Sequence, residues 1–353
     1  MPGSFNSMET SDFTFELPEH LIAQHPTARR GQSRLLVMDR KARRLEHRMV
    51  GDLPSIIGSG TLMVFNNTRV RRARLLGVSA ATGANVEFLL IKKLDILSWL
   101  VLSKRSKRRK PGSRYDFDGV SAEIVSDADS AAGEGTMILR FDKPVNDEWL
   151  DIHGHVPLPP YIRRKDIGED NERYQTVYAR EYGSAAAPTA GLHFTEELLA
   201  QLEKAGIETT FITLHVGLGT FLPVRTKNIE DHKMHEETYI INEDTALLIE
   251  RAKAEGRKVL SVGTTSVRAL ESAWEEGPPG RLRRGEGSTS IFIYPGYVFK
   301  VTDALFTNFH TPGSTLLMLV SAFAGRDFIL ESYKEAIGEG YRFFSYGDAC
   351  LII

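Results

Sequence analysis

The sequence predicts an α/β main domain with a substantially parallel sheet, interrupted by an inserted small all-β barrel domain. Three patterns carry this: a strand–loop–helix unit recurring after residue 195, six short β-rich runs between residues 71 and 151, and a proline-stiffened connector, Gly154-His-Val-Pro-Leu-Pro-Pro-Tyr161. The expected division is residues 1–70 and 152–353 for the discontinuous α/β domain, and 71–151 for the barrel. A length of 353 residues, with 42% hydrophobic and 25% charged, suits two ordinary globular domains.

The N-terminal stretch Met1 to His20 is polar and acidic, without the basic start and apolar core of a signal or transit peptide. No apolar run approaches the roughly 20 residues a membrane-spanning helix needs. The barrel runs are Arg74–Val78, Asn85–Leu94, Trp99–Leu102, Arg114–Phe117, Ala122–Val125 and Thr136–Phe141, parted by turn-forming tracts such as Ala80–Ala84 and Ser126–Gly135. Beyond the connector, Thr195 caps a helix over 196–205, with Glu196 and Glu197 at the positive end of its dipole and Gly206 as its stop. A strand over Ile207–Val216 follows. Asn242 then caps a helix over Glu243–Glu255, ended by Gly256, before a strand at Lys258–Val262 and a helix from near Ser266. The last unit is a strand at Ala304–Phe309, the loop Thr311-Pro-Gly-Ser314 and a helix over Thr315–Ala324.

The single cysteine, Cys350, rules out an intramolecular disulfide or a cysteine metal cage and fits a reducing cytoplasm. A net charge of −2 exerts no overall pull on nucleic acid, so such a partner needs a local patch. Lys104-Arg-Ser-Lys-Arg-Arg-Lys110 supplies one, with six cations in seven residues. Arg69, Arg71, Arg72 and Arg74 at the entry to the barrel segment, and Arg163, Arg164 and Lys165 after its exit, point the same way.

In open α/β sheets, ligands collect beyond the carboxyl ends of strands. Gly217–Phe221, Gly263–Ser266 and Asn308–Ser314 should therefore share one crevice. Two glycine–histidine runs, 187–194 and 213–221, add Gly191, Gly217 and Gly219 for close backbone approach and His193 and His215 for proton transfer. Gly263-Thr-Thr-Ser266, with Arg268 one turn into the helix, suits a phosphate or carboxylate. The run Val216-Gly-Leu-Gly-Thr-Phe-Leu222 lacks the third glycine of a dinucleotide fingerprint, and no phosphate loop, nucleophile elbow or His-Glu-x-x-His is present. His153/His155 and His232/His235 have metal-like spacing but no evident further ligands. On residues alone, an enzyme, a noncatalytic RNA-binding protein and a metal-dependent hydrolase all stay open.

Several tracts are diagnostic when taken together. They are Leu62-Met-Val-Phe-Asn-Asn-Thr-Arg-Val70, Gly154–Tyr161, Arg173-Tyr-Gln-Thr-Val-Tyr178, Ala187–Phe194, Leu214–Phe221, Val262-Gly-Thr-Thr-Ser-Val-Arg268, Ile293-Tyr-Pro-Gly-Tyr297, Thr307-Asn-Phe-His310, Leu316–Phe323 and Phe344-Ser-Tyr-Gly-Asp-Ala349. From about Phe13 to the C-terminus, the chain resembles the S-adenosylmethionine:tRNA ribosyltransferase-isomerase family of queuosine biosynthesis. It departs modestly, with Asn67 where aspartate is frequent and a more basic Arg71-Arg72 pair.

The resemblance implies a two-domain enzyme that transfers and isomerises the ribosyl part of S-adenosylmethionine onto 7-aminomethyl-7-deazaguanine at the tRNA wobble position. Epoxyqueuosine forms, with adenine and methionine released. It further implies no tightly bound cofactor or metal, S-adenosylmethionine as a consumed cosubstrate, tRNA as the partner, no obligate protein partner and no membrane. Under this reading His193, His215 and then His310 move protons. Asn66, Thr68, Arg69, Thr189, Gly191, Gly217, Gly219, Thr220, Gly263, Thr264, Thr265, Ser266, Arg268 and Asn308 line the substrate crevice. Lys104, Arg105, Lys107, Arg108, Arg109, Lys110, Arg163 and Arg164 face the tRNA. Phe65, Tyr161, Phe194, Phe221 and Tyr346 flank these tracts as aromatic faces for an unstacked base.

Overall fold

Chain order begins with β1 (Arg34–Asp39), β2 (Arg44–Met49), the single-turn helix α1 (Leu53–Ile56), β3 (Leu62–Asn66) and β4 (Thr68–Val70). The computed structural model describes residues 8–103, 109–127, 135–217, 224 and 226–353. Six strands follow: β5 (Arg74–Ser79), β6 (Asn85–Lys93), β7 (Ser98–Ser103), β8 (Arg114–Phe117), β9 (Val120–Asp127) and β10 (Thr136–Phe141). They close into an antiparallel barrel in the order β10-β7-β6-β5-β8-β9. Alternate residues of these strands, among them Phe88, Trp99, Phe117 and Leu139, fill the interior, so the barrel is a packed core and leaves no sheet edge unpaired.

Helix α2 (Asp147–His153), capped by the Asn146 side chain, and the short α3 (Asp170–Arg173) carry the chain back to β11 (Glu181–Ser184), which pairs in parallel with β4. The α/β units then appear: α4 (Glu196–Lys204), β12 (Glu208–Leu214), β13 (Glu237–Ile241), α5 (Glu243–Ala254), β14 (Val259–Val262) and α6 (Thr264–Ala273). The small hairpin β15 (Trp274–Glu275) and β16 (Arg281–Leu282) precedes β17 (Gly285–Thr289), β18 (Ala304–Asn308), α7 (Thr315–Ala324), α8 (Arg326–Gly338) and β19 (Ala349–Ile352). Two caps expected from sequence, Thr195 and Asn242, form as hydrogen bonds, and the structure adds a third at Ser314. Thr195 accepts from the Leu198 N–H (3.1 Å), Asn242 from Thr245 (2.8 Å) and Ser314 from Leu317 (3.1 Å).

The main sheet has nine strands in the order β17-β13-β12-β3-β14-β18-β19-β1-β2. Its centre, β12-β3-β14-β18, is parallel, and β19 joins β1 in parallel, but β17, β13, β2 and the β18–β19 contact are antiparallel. The sheet is thus mixed, and the expectation of a substantially parallel one holds for its middle. Every residue of β3, β14, β18 and β19 is buried because helices cover both faces. Met63 and Phe65 pack with Leu198 and Leu202 of α4, whereas Leu62 and Val64 meet Ile249 of α5 and Leu270 of α6. No helix among the described residues is long and apolar enough to cross a membrane.

Barrel and sheet meet at a seam. Arg74 and His155 exchange backbone hydrogen bonds (3.2 and 2.8 Å), Arg71 pairs with Asp147, and Arg74 reaches Asp166 (3.4 Å) and Glu87 (3.1 Å). Gly154 sits in this seam, and a Cβ there would overlap the Arg72 carbonyl oxygen. Gly154→Ala should therefore cost about 1–3 kcal/mol in denaturant unfolding. Gly168→Ala, with nothing within 4 Å of the added carbon, should stay within about 0.5 kcal/mol. Equal stability of the two variants would show that the seam tolerates the extra methyl.

Candidate active site

Beyond the carboxyl ends of β12, β14 and β18 lies a cleft of about 240 Å³. Its walls are the turn Ala187–Ala190, the start of α6 at Gly263–Thr265, the segment Thr307–Pro312, and the aromatic pair Tyr161 and Phe344, whose rings lie 4.7 Å apart. The chain enters α6 through Gly263 at φ +87°, a left-handed conformation that disfavours any side chain. With glycine as N-cap, no side chain caps α6. The first-turn N–H groups and the positive end of the helix dipole are left to serve an anion.

His310 lines the cleft. Its Nε2 hydrogen-bonds to Thr307 Oγ1 (3.0 Å), its backbone N–H donates to the Tyr333 hydroxyl (3.1 Å), and among the described residues its Nδ1 has no partner. Burial lowers its pKa from 6.5 to about 3, so the ring is neutral at physiological pH. Thr189, Gly263, Thr264, Thr265 and Asn308 share this cleft.

His193 and His215 are placed differently from expectation. His193 is buried one layer behind the cleft, between Ser33 Oγ (2.9 Å to Nδ1) and Asn308 Nδ2 (3.0 Å to Nε2), and burial, aided by Arg342 and Arg30, lowers its pKa to about 3. His215 lies over Gly183 and bonds to Thr68 Oγ1 (2.8 Å), away from the cleft wall; burial and then Arg71 lower its pKa. The first glycine–histidine run thus lends Ala187–Ala190 to the cleft wall and the second lends Val216, while the histidine that faces the cleft is His310.

Other expected substrate residues serve the fold. Asn66 spends its amide on Leu214, Thr68 and Thr265, and Thr68 is fully buried against Glu181 and His215. The missing side chain of Gly191 makes room for the Tyr178 hydroxyl rather than for a ligand. Ser266 returns its hydroxyl to the Val262 carbonyl (2.8 Å). Arg268 points from α6 toward the β13 edge, where it forms a buried ion pair with Glu237; the other Glu237 oxygen accepts the Gly217 N–H (2.9 Å). Arg69 faces a separate hollow of about 210 Å³ at the seam and lies over the Tyr182 ring (4.6 Å).

Among the expected tRNA contacts, Arg164 grips Asp170 with two bonds (2.6 and 2.7 Å), Arg163 pairs with Glu19 at the surface, Arg109 lies over Phe88 (4.6 Å) and Lys110 is exposed. Lys104, Arg105, Lys107, Arg108, Gly219, Thr220 and Phe221 lie outside the described residues. Phe65, Phe194 and Tyr346 are core residues, and of the four of these aromatics among the described residues Tyr161 alone meets the cleft. His153 pairs with Asp118 and His155 with Asp166, and among the described residues no group of three or more His, Cys, Asp or Glu is placed to hold a metal ion. Thr307, Phe344 and Ser345 line the cleft and were not anticipated as site residues; only the Thr307-Asn-Phe-His310 and Phe344–Ala349 tracts hinted at them.

The family model for queuosine biosynthesis proteins matches residues 10–352. The chain belongs to the queuosine biosynthesis protein family. Within that family it is 53% identical over 350 residues, covering 98% of this chain and all of the relative, to an S-adenosylmethionine:tRNA ribosyltransferase-isomerase of Treponema denticola. A relative of the same name from Borreliella afzelii is 48% identical over 350 residues, covering 98% of this chain and 99% of its own. The crystal structure of S-adenosylmethionine tRNA ribosyltransferase from Thermotoga maritima superposes with a TM-score of 0.56 at 36% identity, covering 97% of this chain and all of that one.

For this queuosine-family cleft, the neutral histidines have a measurable consequence. Unfolding returns His193 and His310 from about 3 to near 6.5, so the unfolded chain binds protons that the folded chain refuses between those values. Stability should fall as pH drops below 6.5, by roughly 1.4 kcal/mol per pH unit for each histidine. In urea unfolding at pH 7 and pH 5, His193→Gln should shrink the difference by about 2 kcal/mol. An unchanged difference would contradict the buried, neutral state of His193.

Proposed function

We propose that the chain transfers and isomerises the ribosyl moiety of S-adenosylmethionine onto 7-aminomethyl-7-deazaguanine at the tRNA wobble position, forming epoxyqueuosine and releasing adenine and methionine. The observation that carries this is the full-length likeness to relatives named for that transfer, at 53% identity over 98% of the chain. S-adenosylmethionine is a consumed cosubstrate, tRNA is the partner, and the work belongs in the cytoplasm, where tRNA is. We take residues 71–151 as the inserted unit that helps to carry the tRNA. Neither a noncatalytic RNA-binding role nor metal-dependent hydrolysis is favoured, since the relatives are named as enzymes of this one reaction.

The chemistry asks for a base near a carbon acidified by an adjacent sulfonium. Loss of a C5′ proton gives an ylide; the C4′–O4′ bond breaks and adenine departs carrying a proton, which leaves an unsaturated aldehyde, and the aminomethyl nitrogen of the base adds to it with loss of a proton. The C5′ carbanion so formed closes a carbon ring on the aldehyde carbon, and the resulting alkoxide displaces methionine as the epoxide forms. We assign the proton transfers to His310: it lines the cleft and keeps Nδ1 open when Nε2–H donates to Thr307. Tyr161 and Phe344 offer an apolar wall for a base face. Arg69, at the seam hollow, and exposed Lys110 are assigned to tRNA phosphates.

Supplied with S-adenosylmethionine and precursor-bearing tRNA, the protein should release adenine and methionine in step with tRNA modification. Binding of tRNA by folded protein without either product would contradict the assignment. His310→Ala should lower kcat by roughly 10²- to 10⁴-fold while leaving S-adenosylmethionine affinity within about threefold. Turnover within threefold of the unmodified enzyme would remove His310 from the proton path.

A further inference from the structure

Asn308, the last residue of β18, is 2% exposed and lines the cleft. Its amide can face only one way. Nδ2 lies 3.1 Å from the Phe344 carbonyl, which only accepts, so reversing the amide would set two oxygens against each other. The second Nδ2 hydrogen points to His193 Nε2 at 3.0 Å, which makes that nitrogen an acceptor and places the His193 proton on Nδ1, toward Ser33. Both amide hydrogens are thereby used. The remaining atom, Oδ1, is buried and has no hydrogen-bond partner. Buried acceptors are seldom left unmet, and one at a cleft wall calls for a donor from the ligand.

The same cleft holds the uncapped N-terminus of α6, with Gly263, Thr264 and Thr265 in its wall. One feature asks for an anion, and the other asks for a hydrogen-bond donor beside a neutral imidazole that would not repel a cation. An α-amino acid group satisfies both. Resting on the reading of S-adenosylmethionine as cosubstrate, we infer that the cleft binds its methionyl end as a zwitterion. The carboxylate lies on the N-terminus of α6, and the ammonium donates to Asn308 Oδ1. His193 is a positioning residue that holds the Asn308 amide in its one productive orientation.

Calorimetric titration of the intact protein with S-adenosylmethionine, its des-amino analogue and its decarboxylated analogue tests this without any variant. Each analogue should bind about tenfold to a hundredfold more weakly than S-adenosylmethionine. Asn308→Leu, checked for folding by circular dichroism, should weaken S-adenosylmethionine by a similar factor yet leave the des-amino analogue unchanged. His193→Leu should erase the same discrimination. His193→Gln, which keeps an acceptor for the Asn308 amide, should retain most of it. Equal affinity of the wild-type protein for S-adenosylmethionine and the des-amino analogue would overturn the inference while leaving the transferase reading intact, as would an Asn308→Leu penalty shared by both ligands. A wild-type protein that neither binds S-adenosylmethionine nor releases adenine would instead sink the reading on which the inference rests.

Discussion

Where strands end inside a sheet covered on both faces, their backbone groups must be satisfied without another strand, and Asn66 does this where β3 and β12 part. Its Oδ1 accepts the N–H groups of Leu214 (3.0 Å) and Thr68 (3.1 Å), and its Nδ2 donates to the Leu214 carbonyl (2.9 Å) and to Thr265 Oγ1 (3.2 Å). One side chain thus ties the end of β3, the end of β12 and the first turn of α6. From that point β4 leaves toward β11 and the barrel, while the chain beyond β12 runs on to Val216 and Gly217. The cleft opens beside this divergence, as expected for an α/β sheet whose neighbouring connections part company.

Full charges are held away from the cleft wall. Arg268 and Glu237 neutralise each other behind it, while His193 and His310 are kept uncharged by burial. What faces the ligand is a helix terminus, hydroxyls, an amide and two aromatic rings. Such a wall suits a cosubstrate that itself brings a carboxylate, an ammonium and a sulfonium, because fixed dipoles orient these groups with little rearrangement. Phe344 adopts φ +71°, a left-handed conformation that costs a non-glycine residue about 1–3 kcal/mol. The same residue directs its carbonyl to the Asn308 amide, so the strain sits where the unpartnered Asn308 Oδ1 is oriented.

Periodicity and caps made much of the architecture legible. The strands Arg114–Phe117 and Thr136–Phe141 and the helix Thr315–Ala324 form at the expected residues, because turn-forming tracts or a serine cap bound them on the chain. The flanking strands β1, β2, β13, β17 and β19 were not read. β1 and β19 come from opposite ends of the chain, with Leu35 beside Ala349, so no local pattern announces that pairing, whereas β1 and β2 are a short hairpin that was missed. The Gly263–Ser266 and Asn308–Ser314 loops come together at one cleft because strand–loop–helix order fixes which strand ends are neighbours. Side-chain direction was not legible. Gly191 resembled a ligand approach but accommodates Tyr178, Arg268 resembled an anion clamp but meets Glu237, and His193 faces Ser33 and Asn308. Each outcome depends on a partner brought in by the fold from a distant segment.

The central claim is that the sugar of S-adenosylmethionine, rather than its methyl group, ends on the tRNA. Mass spectrometry of nucleosides digested from tRNA, after reaction with S-adenosylmethionine carrying ¹³C throughout its ribose or only in its methyl group, reads this directly. The account predicts that the whole ribose label appears in the modified wobble nucleoside and the methyl label leaves with methionine. A methyl label on the tRNA, or a modified nucleoside without the ribose label, would contradict it.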